Sequence, residues 1–234
     1  MNKAVIFGLN GVLLDSIPRY ADAFCYACFE FNLDAPEKEF LMRDIGDLGL
    51  SEIITKHLPQ LPTDQHKMFF RRCNSYVFDL IYEDIGERPL PGIVRSLETL
   101  QEENYTLGVF SGTIKEFVVP SLAQRGLLSF FVPDMIEARD LAKDCARTHK
   151  SIKPEKLSSL FNTLADKWDM DIDAAKQNVI VICDSQSDLE ACKELNISAI
   201  HAHYSRPSRA VNYETMDTNI IYPSLLKAVK ACRP

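Results

Sequence analysis

At 234 residues the chain is long enough to bury a full core, as one domain or as one domain carrying a cap. Its 46% apolar and 25% charged residues are those of an ordinary soluble globule, and a net charge of −7 argues against binding to nucleic acid or to an anionic membrane. No apolar run approaches the roughly 20 residues of a membrane span. The N-terminus enters a strand without a charged leader or a cleavage site, so a cytoplasmic protein is expected.

In chain order, Ala4–Phe7 reads as a buried strand, followed by a turn at Gly11, the apolar Val12-Leu13-Leu14 and Asp15. Ser16 is placed to cap a first helix with Pro18 inside its first turn. From there to about Arg88 the pattern is helical, at Tyr20–Phe31, Ser51–His57 and Gln65–Tyr82, broken at Pro36, Pro59 and Pro62. The many aromatic residues of this stretch (Tyr20, Phe24, Tyr26, Phe29, Phe31, then Phe69, Phe70, Tyr76, Phe78 and Tyr82) are expected to form its own small core. Pro89-Leu90-Pro91-Gly92 marks the return to a second pattern.

That pattern alternates short apolar strands (Thr106–Phe110, Met135–Glu137, Val179–Ile182, Ala199–Ala202, Asn219–Tyr222) with helices (Ile93–Glu103, Lys115–Arg125, Glu155–Trp168, Ser187–Glu194, Leu225–Ala231). Continuous apolar strands are those of a parallel sheet covered on both faces. The expected fold class is therefore α/β, a doubly wound parallel sheet of Rossmann-like type, with an inserted α-helical cap. The expected division is 1–15 with 89–234 for the core and 16–88 for the cap. Ligands belong at the carboxyl ends of the strands, where residues 8–11, 111–113 and 184–188 fall.

The seven cysteines (Cys25, Cys28, Cys73, Cys145, Cys183, Cys192, Cys232) are odd in number and scattered, and read as reduced thiols. Cys25-x-x-Cys28 has no second pair and no histidine beside it, two ligands short of a zinc site. Both read as core residues of one helix.

Four clusters resemble the haloacid dehalogenase-like hydrolases, on the branch of phosphoglycolate phosphatase and β-phosphoglucomutase. The first motif of that family is four apolar residues, then D-x-D-G-[TV]-L-x-D-[ST]. Aligned on Gly11, Val12, Leu13, Asp15 and Ser16, its nucleophilic aspartate falls on Gly8 and its acid/base aspartate on Asn10. Leu107–Thr113 is similar to the strand whose terminal hydroxyl holds a phosphoryl oxygen, which implies phosphate contacts from Ser111 and Gly112; alone, Ser-Gly-Thr is only turn chemistry. Lys153-Pro154 is similar to the lysine that neutralises the phosphoryl group, with Lys150 and Lys143 as competitors. The stretch Arg139, Lys143, Arg147, His149, Lys150 reads as a solvated basic loop. Finally Val179–Asp188 resembles the acidic motif that holds magnesium, with Cys183 in place of a glycine and Asp184 and Asp188 as implied Mg²⁺ ligands.

The resemblance implies a covalent phosphatase mechanism that Gly8 and Asn10 cannot perform. Gly8 has no side chain to attack phosphorus. Asn10 hydrogen-bonds but exchanges no proton at neutral pH, and acid–base help is worth roughly 10²–10⁴-fold in rate. The expected function is a catalytically inactive pseudophosphatase that keeps a weakened Mg²⁺ site and a pocket for phosphate or a small phosphorylated ligand. It would serve a binding or regulatory role toward an unidentified protein partner. The alternative is an active Mg²⁺-dependent hydrolase of a small phosphorylated metabolite, using a metal-bound water at Asp184 or Asp188.

Overall fold

The computed structural model describes residues 2–45, 48, 50–144, 149–202, 221–222 and 225–231. Strands β1 (Ala4–Gly8) and β2 (Leu14–Asp15) lead into helices α1 (Ile17–Glu30), α2 (Lys38–Asp44), α3 (Leu50–His57) and α4 (Thr63–Tyr82). After β3 (Arg88–Pro89) come α5 (Ile93–Glu102), β4 (Thr106–Ile114), α6 (Lys115–Gln124), β5 (Ile136–Arg139), α7 (Leu141–Asp144), α8 (His149–Trp168) and α9 (Ile172–Gln177). The order closes with β6 (Val179–Cys183), α10 (Gln186–Glu194), β7 (Ala199–Ala202), β8 (Ile221–Tyr222) and α11 (Leu225–Ala231).

Six strands form one sheet in the order β5-β4-β1-β6-β7-β8, and β2 pairs with β3 in a separate ladder. The six-stranded sheet is parallel throughout, with β1 at its centre between β4 and β6. Burial explains the apolar runs: every residue of β1 is buried. One face carries Val5, Phe7, Leu107 and Val109 with helix residues Leu97, Leu100, Val118 and Leu122. The other carries Ile6, Phe110, Val181 and Cys183 with Leu157, Leu160, Phe161 and Leu164 of α8. This is the expected doubly wound α/β fold.

Contacts divide the chain into two units, Met1–Leu14 with Pro89–Pro234, and Asp15–Arg88. Among the described residues the second is built on helices α1–α4, joined by short loops, with strand residues only at its two ends. Its core joins Ile17, Ala21, Phe24, Cys28, Leu41, Ile53, Ile54, Phe69 and Cys73. Phe69 receives Phe24 and Phe31 edge-on, each at 5.2 Å between ring centroids, a favoured aromatic geometry.

Several expectations need correction. Tyr26, Phe29 and Tyr82 are 50%, 84% and 61% exposed, so the aromatic residues of this unit are only partly a core. Ser16 occupies the N-cap position of α1, but its backbone is helical and its side chain makes no cap hydrogen bond. Helix α8 begins at His149, six residues before the expected start, with Pro154 inside it. Residues 219–220 of the last expected strand lie outside the described residues. Of the Cys25-x-x-Cys28 thiols, Cys28 is core and Cys25 only half-buried against it; Cys73 is buried as well. Burial first, then the neighbouring Cys25, pushes the Cys28 thiol up to about 12, which keeps it protonated and inert at neutral pH.

Within the helical unit an open cavity of about 470 Å³ is lined by Phe40, Arg43, Asp44, Lys56 and His57, among others. The Asp44 carboxylate accepts from Lys56 Nζ at 2.8 Å and lies 2.5 Å from His57 Nε2. Burial alone would raise this carboxyl, but the hydrogen bonds from Lys56 and His57 prevail and hold it below the usual carboxylate range. A depressed folded pKa stabilises the fold above the unfolded value of about 3.9, and that stabilisation is lost as pH falls through the folded pKa. The Tm difference between the native chain and Asp44→Asn is thus expected to be widest above about pH 4 and to shrink on further acidification. A difference that stays constant down to pH values near 2 would contradict this assignment.

Candidate functional site

The site lies where adjacent strands β4, β1 and β6 end. Gly8 closes β1, and its backbone is not in the left-handed region. A Cβ placed there would stand 3.2 Å from Val12 Cγ2 and 3.7 Å from the Ile182 carbonyl oxygen. The chain then turns tightly, with Leu9 O accepting from the amides of Val12, Leu13 and Leu14. Gly11 sits in this turn at φ +76°, and a Cβ on it would fall 1.8 Å from Asp184 Oδ2. The Asp184 carboxylate therefore packs directly on the turn of the first motif, a close approach that only glycine allows.

Asn10 is half-buried, and its Nδ2 donates to Thr113 Oγ1 at 3.1 Å. The Ser-Gly-Thr segment is not a turn but the continuation of β4, which runs on to Ile114. Its register with β5 is irregular between Phe110 and Ile114. Ser111 Oγ accepts from the Thr113 amide at 3.0 Å, so the hydroxyl is held by its own strand. Asp15 is exposed on β2.

At the end of β6, Ser185 caps α10 by accepting from the Asp188 amide. Lys153 of α8 reaches this helix start. Its Nζ lies 2.5 Å from Asp188 Oδ1 and donates to Ser185 Oγ at 3.0 Å and Ser187 Oγ at 2.7 Å. The Lys153 and Asp188 side chains are each 8% exposed. An ammonium group has three N–H donors, and these three oxygens account for them all. Of the competing lysines, Lys143 is exposed and pairs with Asp140 at 3.9 Å; the Lys150 side chain lies outside the described ones.

The basic stretch upstream is not wholly solvated. Arg139 is buried at the end of β5 and donates to the Asp144 carbonyl at 2.8 Å, while Lys156 pairs with the buried Asp144 carboxylate at 3.3 Å. Arg147 lies outside the described residues.

Four partners escape the sequence reading: His201, Ser185, Ser187 and Thr113, which accepts from Asn10. His201, buried on β7, donates from Nε2 to the Asp184 carbonyl at 3.2 Å and fixes the backbone there. Its signal in the sequence is a lone polar residue inside the apolar Ala199–Ala202 run. Ser185 and Ser187 lie within the acidic motif, but their service to Lys153 is a tertiary contact that spacing does not encode. Cys183 fills the place of the expected glycine. The hydrogen bond with the Cys192 thiol and complete burial push its own thiol well above the usual range.

Magnesium is the cofactor the resemblance implies, and the donors can be tested against it. Mg²⁺ takes near-octahedral oxygen ligands, one or two of them carboxylates beside water and substrate phosphate. Gly8 contributes no side-chain donor and Asn10 no charge. Asp188 is already neutralised by Lys153 at 2.5 Å. Among the described residues no three His, Cys, Asp or Glu side chains converge as a metal-holding group. As arranged, these residues do not fit a divalent cation.

Comparison with known proteins bears on the whole architecture. A family model described as haloacid dehalogenase-like hydrolase matches residues 5–202. The phosphoglycolate phosphatase of Vibrio cholerae serotype O1 is 26% identical over 196 residues, covering 82% of this chain and 80% of that one. A haloacid dehalogenase-like family hydrolase from Streptococcus pneumoniae superposes with a TM-score of 0.75 at 19% identity, over 99% of both chains. The Protein Tyrosine Kinase A of Mycobacterium tuberculosis superposes at 0.78 with 16% identity, over 99% of this chain and 98% of that one. At these identities the structural likeness is one of fold. Among the described residues no helix is long and apolar enough to cross a membrane. The motif spacing, the parallel sheet with β1 at its centre and the match over residues 5–202 agree, and the chain belongs to the haloacid dehalogenase-like hydrolase family.

Proposed function

We propose that this chain is a pseudophosphatase: a phosphatase-like core, with a helical cap at 16–88, that has lost its reagents and serves by binding. The observation that carries the reading is the pair Gly8 and Asn10 at the carboxyl end of β1. No attacking carboxylate and no proton-exchanging group remain at the two positions where covalent phosphoryl transfer needs them. Substitution for the nucleophile from nearby is not supported by the contacts. Among the described residues the hydrogen-bond partner of the Ser111 hydroxyl is the Thr113 amide, not a base, and Asp15 is exposed on β2.

The ligand that suits the remaining groups is inorganic phosphate or a small phosphorylated molecule, held by Ser111, Gly112 and Lys153. A phosphoryl oxygen would have to displace Ser185 or Ser187 from Lys153 Nζ, so the affinity is expected to be weak. Isothermal titration with inorganic phosphate and with a phosphosugar tests this. A millimolar dissociation constant that Lys153→Met weakens about tenfold, one charge-assisted hydrogen bond's worth, supports the pocket. Absence of heat for both ligands at millimolar concentration removes it.

A further inference from the structure

The centre combines three features that point away from metal dependence. Asp188 is 2.5 Å from an ammonium group, and both side chains are 8% exposed. That ammonium is saturated by Asp188, Ser185 and Ser187, with Ser185 also capping α10. The Asp184 carboxylate lies against Gly11, and the first motif adds no carboxylate that could share a cation with it.

The geometry points to Lys153 as the resident cation of this site: its ammonium fastens α8 to the start of α10 and neutralises Asp188, so the chain folds and binds without Mg²⁺. This rests on the pseudophosphatase reading and extends it. A divalent ion at Asp188 would face a fixed positive charge within contact distance, in a medium where like charges are poorly screened. Displacing Lys153 would leave an ammonium in a nearly closed site without its carboxylate, a costly arrangement. A carboxylate at position 8 or 10 would reverse this balance by giving the metal an anionic donor that the lysine does not occupy.

Manganese binding, read from the loss of the free Mn²⁺ electron paramagnetic resonance signal, tests the inference without reference to activity. The native chain is expected to leave the signal of added Mn²⁺ unchanged through the millimolar range, and its Tm is expected not to move with MgCl₂. Gly8→Asp/Asn10→Asp is expected to take up one Mn²⁺ per chain. Lys153→Ala, which takes the ammonium away from Asp188, should gain a Mg²⁺-dependent rise in Tm of about 3–5 °C at roughly ten times the dissociation constant. One Mn²⁺ bound per native chain at submillimolar affinity, and lost in Asp188→Asn, would overturn the inference whether or not either variant folds. Metal uptake without hydrolysis would sink this inference and leave the pseudophosphatase standing. Hydrolysis that resists chelation would do the opposite.

Discussion

Glu87→Ala is expected to cost the folded chain about 3–5 kcal/mol, the penalty for removing one side of a buried ion pair. Arg19 heads the fully buried side chains in size, and its Nη2 lies 2.5 Å from Glu87 Oε1 with the two side chains 1% and 0% exposed. The pair closes the helical unit on itself. The Arg19 amide donates to the Gly86 carbonyl at 3.1 Å, and Gly86, at φ +70°, comes so close that a Cβ on it would stand 3.0 Å from Arg19 Cα. Removing the carboxylate leaves a guanidinium in a place water does not reach. The pair itself need not be favourable, since replacing both partners by apolar groups of similar size is often neutral. Arg19→Met/Glu87→Leu is therefore expected to lie within about 1 kcal/mol of the native chain. Urea denaturation of the three proteins decides the matter. An unchanged midpoint for Glu87→Ala, or a double variant as damaged as the single one, would contradict the account.

Gly8→Asp/Asn10→Asp is expected to turn the chain into a magnesium-dependent phosphatase. The backbone permits it: position 8 is not left-handed, and the nearest atom to a new Cβ is a side-chain methyl group of Val12 at 3.2 Å, which needs to give by only a few tenths of an ångström. At position 10 the change from amide to carboxylate is nearly isosteric, and Thr113 Oγ1, now 3.1 Å from Asn10 Nδ2, can donate to the new oxygen instead. The restored acid/base alone should contribute about 10²–10⁴-fold in rate, on top of a covalent route that Gly8 cannot offer. Single restorations separate the two roles. Asp at position 8 alone should allow slow formation of an acyl-phosphate, and Asp at position 10 alone should give no turnover. A folded double variant with no hydrolysis would mean that more than the two carboxylates has been lost.

Much of the fold was legible because a parallel sheet covered on both faces demands uninterrupted apolar strands. Ala4–Phe7 and Val179–Ile182 read as such strands, and both lie at the sheet centre, buried but for the half-buried Ile180. Short amphipathic helices were harder. Helix α2 has seven residues and buries only Leu41, too little to impose a period on the sequence. The helix was expected from Glu155, yet α8 starts earlier and carries Pro154 inside, where it forfeits one backbone hydrogen bond. At the site, the resemblance to family motifs pointed to Asp184, Asp188 and Lys153, and the structure pairs Lys153 with Asp188. The resemblance did not mark the partners Ser185, Ser187, Thr113 and His201, which are selected by approach in space. The run from Arg139 to Lys150 misled for the same reason. Its charges looked solvated, but Arg139 is drawn inward by the Asp144 carbonyl.

The central claim is that the pocket survives without its chemistry, and hydrolysis of p-nitrophenyl phosphate by the native chain tests it most directly. Run with millimolar MgCl₂ beside an Asp184→Asn control, the account predicts release no faster than in buffer alone for both proteins. Turnover by the native chain that Asp184→Asn abolishes would contradict it and place a working nucleophile, such as a water oriented by Asp184, in a site read here as empty of one.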